Sequence, residues 1–127
     1  MADELMWIAG EWCAAENNEK SDVINPATGD TLGTVPRATV GDVDRCVAAS
    51  RAALNTPEWK AMDPAQRGRI LNKMAAVTYA KAKELAVIES SNNGKTFREA
   101  LSEIRYGAWT LEYFAGLSDK ILSLIHI

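Results

Sequence analysis

Residues 97–118 set the condition that the rest of the chain has to meet. Thr96 and Glu99 stand three apart as a capping box, and behind them Leu101, Ile104, Ala108, Leu111 and Ala115 recur at alternating steps of three and four, the spacing of one helical face. Tyr106, Trp109 and Tyr113 line a second flank of the same helix, and at that spacing aromatic residues read first as core. A helix that is apolar on two flanks must be covered on both, and only 127 residues are present to do it. The helix therefore reads as part of something larger.

The preceding segments offer limited cover. Residues 5–36 are turn-rich and β-like, with apolar and aromatic residues around Gly10 and with Val23-Ile24 leading into Asn25-Pro26-Ala27-Thr28-Gly29-Asp30. Pro26 presets φ and Gly29 permits a positive one, so that hexapeptide marks a turn between two or three short strands, with a hairpin among them. From Thr39 the period becomes helical. Thr39 and Asp42 open a helix over about 40–55, with Val40, Val43, Val47 and Leu54 on one stripe, ending before Thr56-Pro57. Asp63-Pro64-Ala65-Gln66 opens a second over about 64–92, long enough to bend or break near Ala82. Asn92-Asn93-Gly94 stops it, with Gly94 or either Asn suited to a left-handed cap. The fold class that follows is α+β, mainly α-helical with an N-terminal β-hairpin.

Charge narrows the partners. Fourteen Lys and Arg against 17 Asp and Glu leave a net charge of −3, so no basic surplus exists to neutralise nucleic-acid phosphates or anionic lipid. No apolar run reaches the roughly 18 residues of a membrane-spanning helix, and Met1-Ala2-Asp3-Glu4 lacks the cationic and apolar regions of a secretory signal. These features imply a cytoplasmic chain with no nucleic acid and no membrane as partner. Cys13 and Cys46 are too few for a disulfide framework and lack metal-ligand spacing, so both read as reduced, buried or half-buried thiols.

The last six residues, Leu122 to Ile127, have no cap and no charge unless His126 is protonated. They also read as the translation of a transposase adapter used in library preparation, so residues 122–127 are expected to be non-native. The alternative is a natural apolar terminus. With His126 in that tail, no Cys/His or Ser/His pair is left to activate a nucleophile. The glycines match neither a dinucleotide fingerprint nor a P-loop. Glu99 and Glu103 lie one turn apart, but with Arg98 and Arg105 nearby they read as a solvated charged face rather than an acid/base pair.

Taken in order, the motifs resemble the N-terminal segment of the aldehyde dehydrogenase superfamily. The matching residues are Ile8-Ala9-Gly10-Glu11-Trp12, Val23 through Gly29, Asp42-Val43-Asp44, Trp59, Arg67, Glu84-Leu85-Ala86 with Glu89, Asn93-Gly94-Lys95, and Tyr113 through Gly116 before Asp119-Lys120. Each is weak alone, whereas their order and spacing together are specific from Leu5 to Ile121.

The resemblance implies that residues 1–121 are part of the α/β nucleotide-binding (Rossmann-like) domain of a larger oxidoreductase. Such an enzyme is a homodimer or homotetramer that oxidises an aldehyde with NAD or NADP through a cysteine thioester. Its catalytic and cofactor-binding residues would lie beyond residue 127, so this chain would be inactive, bind no cofactor and contribute no catalytic residue. Two lesser sites are implied inside the segment. A monovalent cation would be held at the positions of Val23, Ile24 and Asn92, with Asn92 replacing a carboxylate by a neutral amide; its plainer role is to cap the turn. The helix after Gly94-Lys95 would line the aldehyde tunnel through Ser102, Glu103 and Tyr106, whose plainer roles are an exposed Ser-Glu pair and a packed tyrosine. Two rival functions stay open beside this one. One is a stand-alone helical interaction module derived from the family, and the other a small enzyme acting through Cys46.

Overall fold

The computed structural model describes residues 4–120, so the tail at 122–127 and His126 lie outside the described residues. The chain divides into two units, one running to Ala61 together with Ser91–Gly94, the other comprising Met62–Ser90 and the residues from Lys95 onward.

The first unit contains two hairpins where the sequence suggested one. Strands β1 (Met6–Ile8) and β2 (Glu11–Cys13) pair antiparallel with Trp7 opposite Trp12, their rings 4.9 Å apart. Their two-residue loop has positive φ at Ala9 (54°) and Gly10 (89°), the backbone of a type I′ turn whose twist suits the flanking strands. Strands β3 (Lys20–Ile24) and β4 (Thr31–Pro36) form the second hairpin across the Asn25–Asp30 turn, where Gly29 takes φ 79°. A register shift between Val23 and Ile24 interrupts this ladder.

Helix α1 (Val40–Ala53) begins at the capping box of Thr39 and Asp42. Its predicted apolar stripe is not core: Val40, Val43, Val47 and Leu54 are all exposed. Its buried residue is instead Asp42, at 1% exposure, which accepts from the backbone N–H of Thr39 at 2.8 Å and of Glu16 at 3.2 Å and pairs with Arg45. A short helix α2 (Pro57–Ala61) follows where Thr56-Pro57 read only as a stop. Pro57 occupies the first helical position, where its missing N–H is harmless.

In the second unit α3 (Pro64–Ala80) and α4 (Ala82–Asn93) replace the single helix over 64–92, with the break at Lys81. The capping boxes at Asp63 with Gln66 and at Thr96 with Glu99 are both reciprocal, and the second opens α5 (Phe97–Leu117). Helices α3 and α5 pack together through small residues. Gly68, Ala75, Ala100, Ala108 and Ala115 are buried, and a Cβ on Gly68 would stand 2.8 Å from the Ala115 carbonyl oxygen. Among the described residues every buried apolar side chain is an alanine, while Ile70, Met74, Val77, Tyr106, Trp109 and Tyr113 are exposed.

Candidate functional site

Helix α5 separates its two flanks by residue size. The buried flank carries Ala100, Ala108 and Ala115, with Leu101, Ile104 and Leu111 half-buried beside them. Ser102, Glu103 and Tyr106 share the exposed flank, and Tyr106 is 66% exposed. From Tyr106 the flank continues as a ladder of rings: Tyr106 to Trp109 at 5.4 Å, Trp109 to Tyr113 at 6.0 Å, and Tyr113 edge-on to Phe114 at 5.4 Å. Rings at these separations attract one another and hold the flank as one apolar surface. The aromatic residues that read as core are therefore solvent-facing among the described residues.

The polar head of this flank is organised by a residue that the sequence presented only as part of a motif. Lys95 donates to Glu89 at 2.9 Å and also to Glu103, so one ammonium joins the end of α4 to the second turn of α5. Ser90 fixes the same residue from its backbone side, its hydroxyl donating to the Lys95 carbonyl at 2.7 Å. Bonding to Glu103, and then to Glu89, raises the Lys95 pKa above that of an ordinary lysine. Glu103 thus pairs with Lys95 rather than joining a loose charged face with Arg98 and Arg105. Glu99 is occupied separately, accepting from the Thr96 hydroxyl at 2.8 Å and backbone N–H at 3.3 Å. The only sequence signal for the Lys95 cluster was Lys95 following Asn93-Gly94, since its partners lie six residues before and eight after.

The candidate cation residues all belong to the first unit. Val23 and Ile24 lie at the register shift that closes β3, and Asn92 lies in the last turn of α4. Gly94, at φ 80°, packs on the Asn25–Ala27 turn, where a Cβ would stand 2.9 Å from Pro26 Cγ. Only a residue without a side chain fits, so the helix end is seated against the turn. The available donors are main-chain carbonyls and the Asn92 amide, oxygen ligands that suit a hard cation. Among the described residues no group of three or more His, Cys, Asp or Glu is placed to hold a metal.

The cysteines stand apart from these features. Cys13 is half-buried, whereas Cys46 is exposed, correcting the expectation that its thiol is sheltered. Cys46 lines an open groove of about 500 Å³ with Trp7, Ile8, Gly10 and Ala53. The residues lining that groove include no base to draw a proton from the thiol.

The sequence matches the profile of the Aldehyde dehydrogenase family over residues 12–125, and the chain belongs to that family. It is 39% identical to the phenylacetaldehyde dehydrogenase of Pseudomonas fluorescens over 91% of this chain and 23% of that protein. Its fold superposes on an NAD-dependent aldehyde dehydrogenase from Sinorhizobium meliloti with a TM-score of 0.89 and 33% identity, covering 94% of this chain and 24% of the other. A betaine aldehyde dehydrogenase from Staphylococcus aureus, solved in complex with NAD+, gives 0.89 and 31% over 92% of this chain and 24% of that one. The chain spans a quarter or less of the length of these proteins. Its mainly helical α+β fold is that of the nucleotide-binding N-terminal part of such enzymes. No helix among the described residues is long and apolar enough to cross a membrane.

Proposed function

We propose that residues 1–121 are the N-terminal piece of a cytoplasmic NAD(P)-dependent aldehyde dehydrogenase that oxidises an aldehyde to a carboxylic acid and works as a homodimer or homotetramer. The carrying observation is the family match over residues 12–125, within chains about four times as long. A cysteine thiolate outside this chain adds to the aldehyde carbon, forming a C–S bond. Loss of hydride from that carbon would leave a thioester; accepting the hydride is the chemistry that bound NAD(P)+ would supply, and no residue of this chain would hold that group. Water, giving its proton to a glutamate, adds to the thioester, and C–S cleavage returns the thiolate and releases the acid. NAD+ in the related betaine aldehyde dehydrogenase supports that cofactor class. This chain supplies none of the catalytic or cofactor-holding groups and is inactive alone.

Its own contributions are two. Ser102, Glu103 and Tyr106 line the aldehyde tunnel, a role supported by their shared exposed flank and the ring ladder beyond it. Val23 and Ile24 carbonyls with the Asn92 amide oxygen hold a monovalent cation, supported by the seating of Gly94 on the Asn25–Ala27 turn. A neutral amide in place of a carboxylate weakens the hold, so N92D should tighten it.

An independent read of the coding sequence across codon 121 tests the proposal. A frame that stays open to a cysteine nucleophile motif, whose product reduces NAD(P)+ with an aldehyde, is the expected result. A stop codon in every independent read would remove it.

A further inference from the structure

The Asn92-Asn93-Gly94 stop places the chain's one Asn-Gly pair where α4 ends. Asn93 is the last helical residue and is exposed, as is Gly94, whose φ of 80° takes the main chain out of the helix. At such a pair the main-chain nitrogen of the glycine can add to the side-chain amide carbon of the asparagine, because no Cβ crowds the approach. Ring closure needs the asparagine to leave helical ψ, and at the end of a helix that costs only local fraying. The other asparagines lack this combination. Asn25 precedes Pro26, whose nitrogen has no hydrogen to lose, and Asn72 lies inside α3. Asn17, Asn18, Asn55 and Asn92 are each followed by a residue with a Cβ.

We infer that Asn93 is a site of spontaneous isoaspartate formation, and that the product unseats Gly94 from the Asn25–Ala27 turn. The Gly94 nitrogen bonds to the side-chain amide carbon of Asn93 as the C–NH2 bond breaks, and ammonia leaves with the proton that the nitrogen loses. Water then opens the cyclic imide. Opening at the side-chain carbonyl gives aspartate on an unchanged chain, whereas opening at the main-chain carbonyl leaves Gly94 joined through the side-chain carbon and frees the α-carboxylate. No oxidant or cofactor is consumed. The second product lengthens the main chain by one carbon, about 1.5 Å, immediately before Gly94. There is no slack of that size: even a Cβ on Gly94 would stand 2.9 Å from Pro26 Cγ and 3.8 Å from the Ala27 nitrogen.

The test ages the full chain in native buffer and in urea, and follows the tryptic peptide Glu84–Lys95 by mass spectrometry and by isoaspartate methyltransferase labelling. In native buffer Asn93 converts at least about tenfold faster than any other asparagine, a barrier difference of about 1.4 kcal/mol. N93Q, whose ring would be one atom larger, does not convert. Conversion in urea alone would show that α4 shields Asn93, and conversion led by another asparagine, or none at all, would equally overturn the inference. The consequence is read by hydrogen–deuterium exchange at Ala27 and Gly29, whose N–H groups donate to the Asn25 side-chain oxygen at 2.9 Å and to its main-chain carbonyl at 2.8 Å. Both amides should exchange about tenfold faster in the isoaspartyl chain than in the fresh one. N93D adds the same charge without the extra carbon and should leave them protected. Equal loss in N93D would make charge the cause, and no loss in the isoaspartyl chain would show that the turn accommodates the carbon; either result overturns the inference.

Discussion

The start of α1 and the packing of α3 on α5 are both buried, but they are closed by opposite means. At α1 the closure is one carboxylate: Asp42 is 1% exposed and collects the N–H groups of Thr39 and Glu16 and the guanidinium of Arg45. Between α3 and α5 the closure is the near absence of side chains, with Gly68, Ala75, Ala108 and Ala115 letting two backbones approach. A hydrogen-bonded carboxylate is sensitive to charge and to the loss of a single oxygen. A contact between small residues is indifferent to pH and intolerant of an added methyl group. The two halves should therefore fail under different insults.

The largest effect is expected from D42A. It removes the reciprocal arm of the capping box of α1 and leaves the N–H groups of Thr39 and Glu16 without their acceptor, so amide exchange at the start of α1 should accelerate about a hundredfold. Amides around Ala108 should be unaffected. Equal acceleration in both helices, read by hydrogen–deuterium exchange, would erase the distinction between the halves.

The converse change is G68A. Its new Cβ meets the Ala115 carbonyl oxygen at 2.8 Å, a backbone atom that cannot swing aside. Overpacking of about 1–3 kcal/mol, less the gain of about 1 kcal/mol in helix propensity, predicts a net loss of up to about 2 kcal/mol in urea unfolding. Gly107 supplies the control on α5, because a Cβ there meets nothing within 4 Å. G107A should gain about 0.5–1 kcal/mol, and a gain in both variants would show that propensity rather than close approach decides.

Acid should divide the halves as well. The Thr39 backbone N–H, then the Arg45 guanidinium, hold Asp42 well below the ordinary carboxylate range, against burial that pushes it up. A carboxyl depressed in the folded chain stabilises above its unfolded pKa, and that stability drains away as pH falls toward the folded value. With an unfolded pKa near 3.9, exchange protection at the start of α1 should drop about tenfold between pH 7 and pH 3, after correction for intrinsic rates. In D42N this step should vanish. A step of the same size in D42N would assign the acid sensitivity to another group.

What the sequence disclosed followed the range of the interactions. All three capping boxes were legible, because a cap and its partner stand three residues apart and nothing distant alters the bond. The left-handed Gly29 and Gly94 were legible for the same reason. The core was not. Leu, Ile and Val positions marked the faces that ought to be covered, yet Val40, Val43 and Val47 are exposed and the buried positions are alanines, which periodicity cannot tell from spacers. Of the candidate tunnel face, the helix and its two flanks were readable from the period, whereas the exposure of the aromatic flank was not, because Tyr106, Trp109 and Tyr113 at helical spacing read as core. Lys95 was not, because its partners on α4 and α5 meet only once the chain has turned at Gly94. The type I′ loop was hidden by Ala9, a residue that gives no turn signal.

That loop is a third kind of closure, made by backbone conformation alone, and it yields the smallest expected effect. Ala9 holds φ 54°, where an L side chain crowds its own carbonyl at a cost of about 1 kcal/mol, while Gly10 holds φ 89° without strain. Asparagine tolerates the left-handed region and favours the first position of a type I′ turn before glycine. A9N should therefore stabilise the β1–β2 hairpin by about 0.5 kcal/mol, with the near-ultraviolet signal of the Trp7–Trp12 pair persisting to higher temperature. The substitution alters neither the charge at Asp42 nor the volume beside Gly68, so protection in α1 and α5 should not move with it. If the Trp7–Trp12 signal melts at the same temperature in A9N and the parent, the conformation of Ala9 is not what limits the hairpin. If the signal persists and protection at α1 rises in step, the hairpin and the Asp42 network form one cooperative element rather than two.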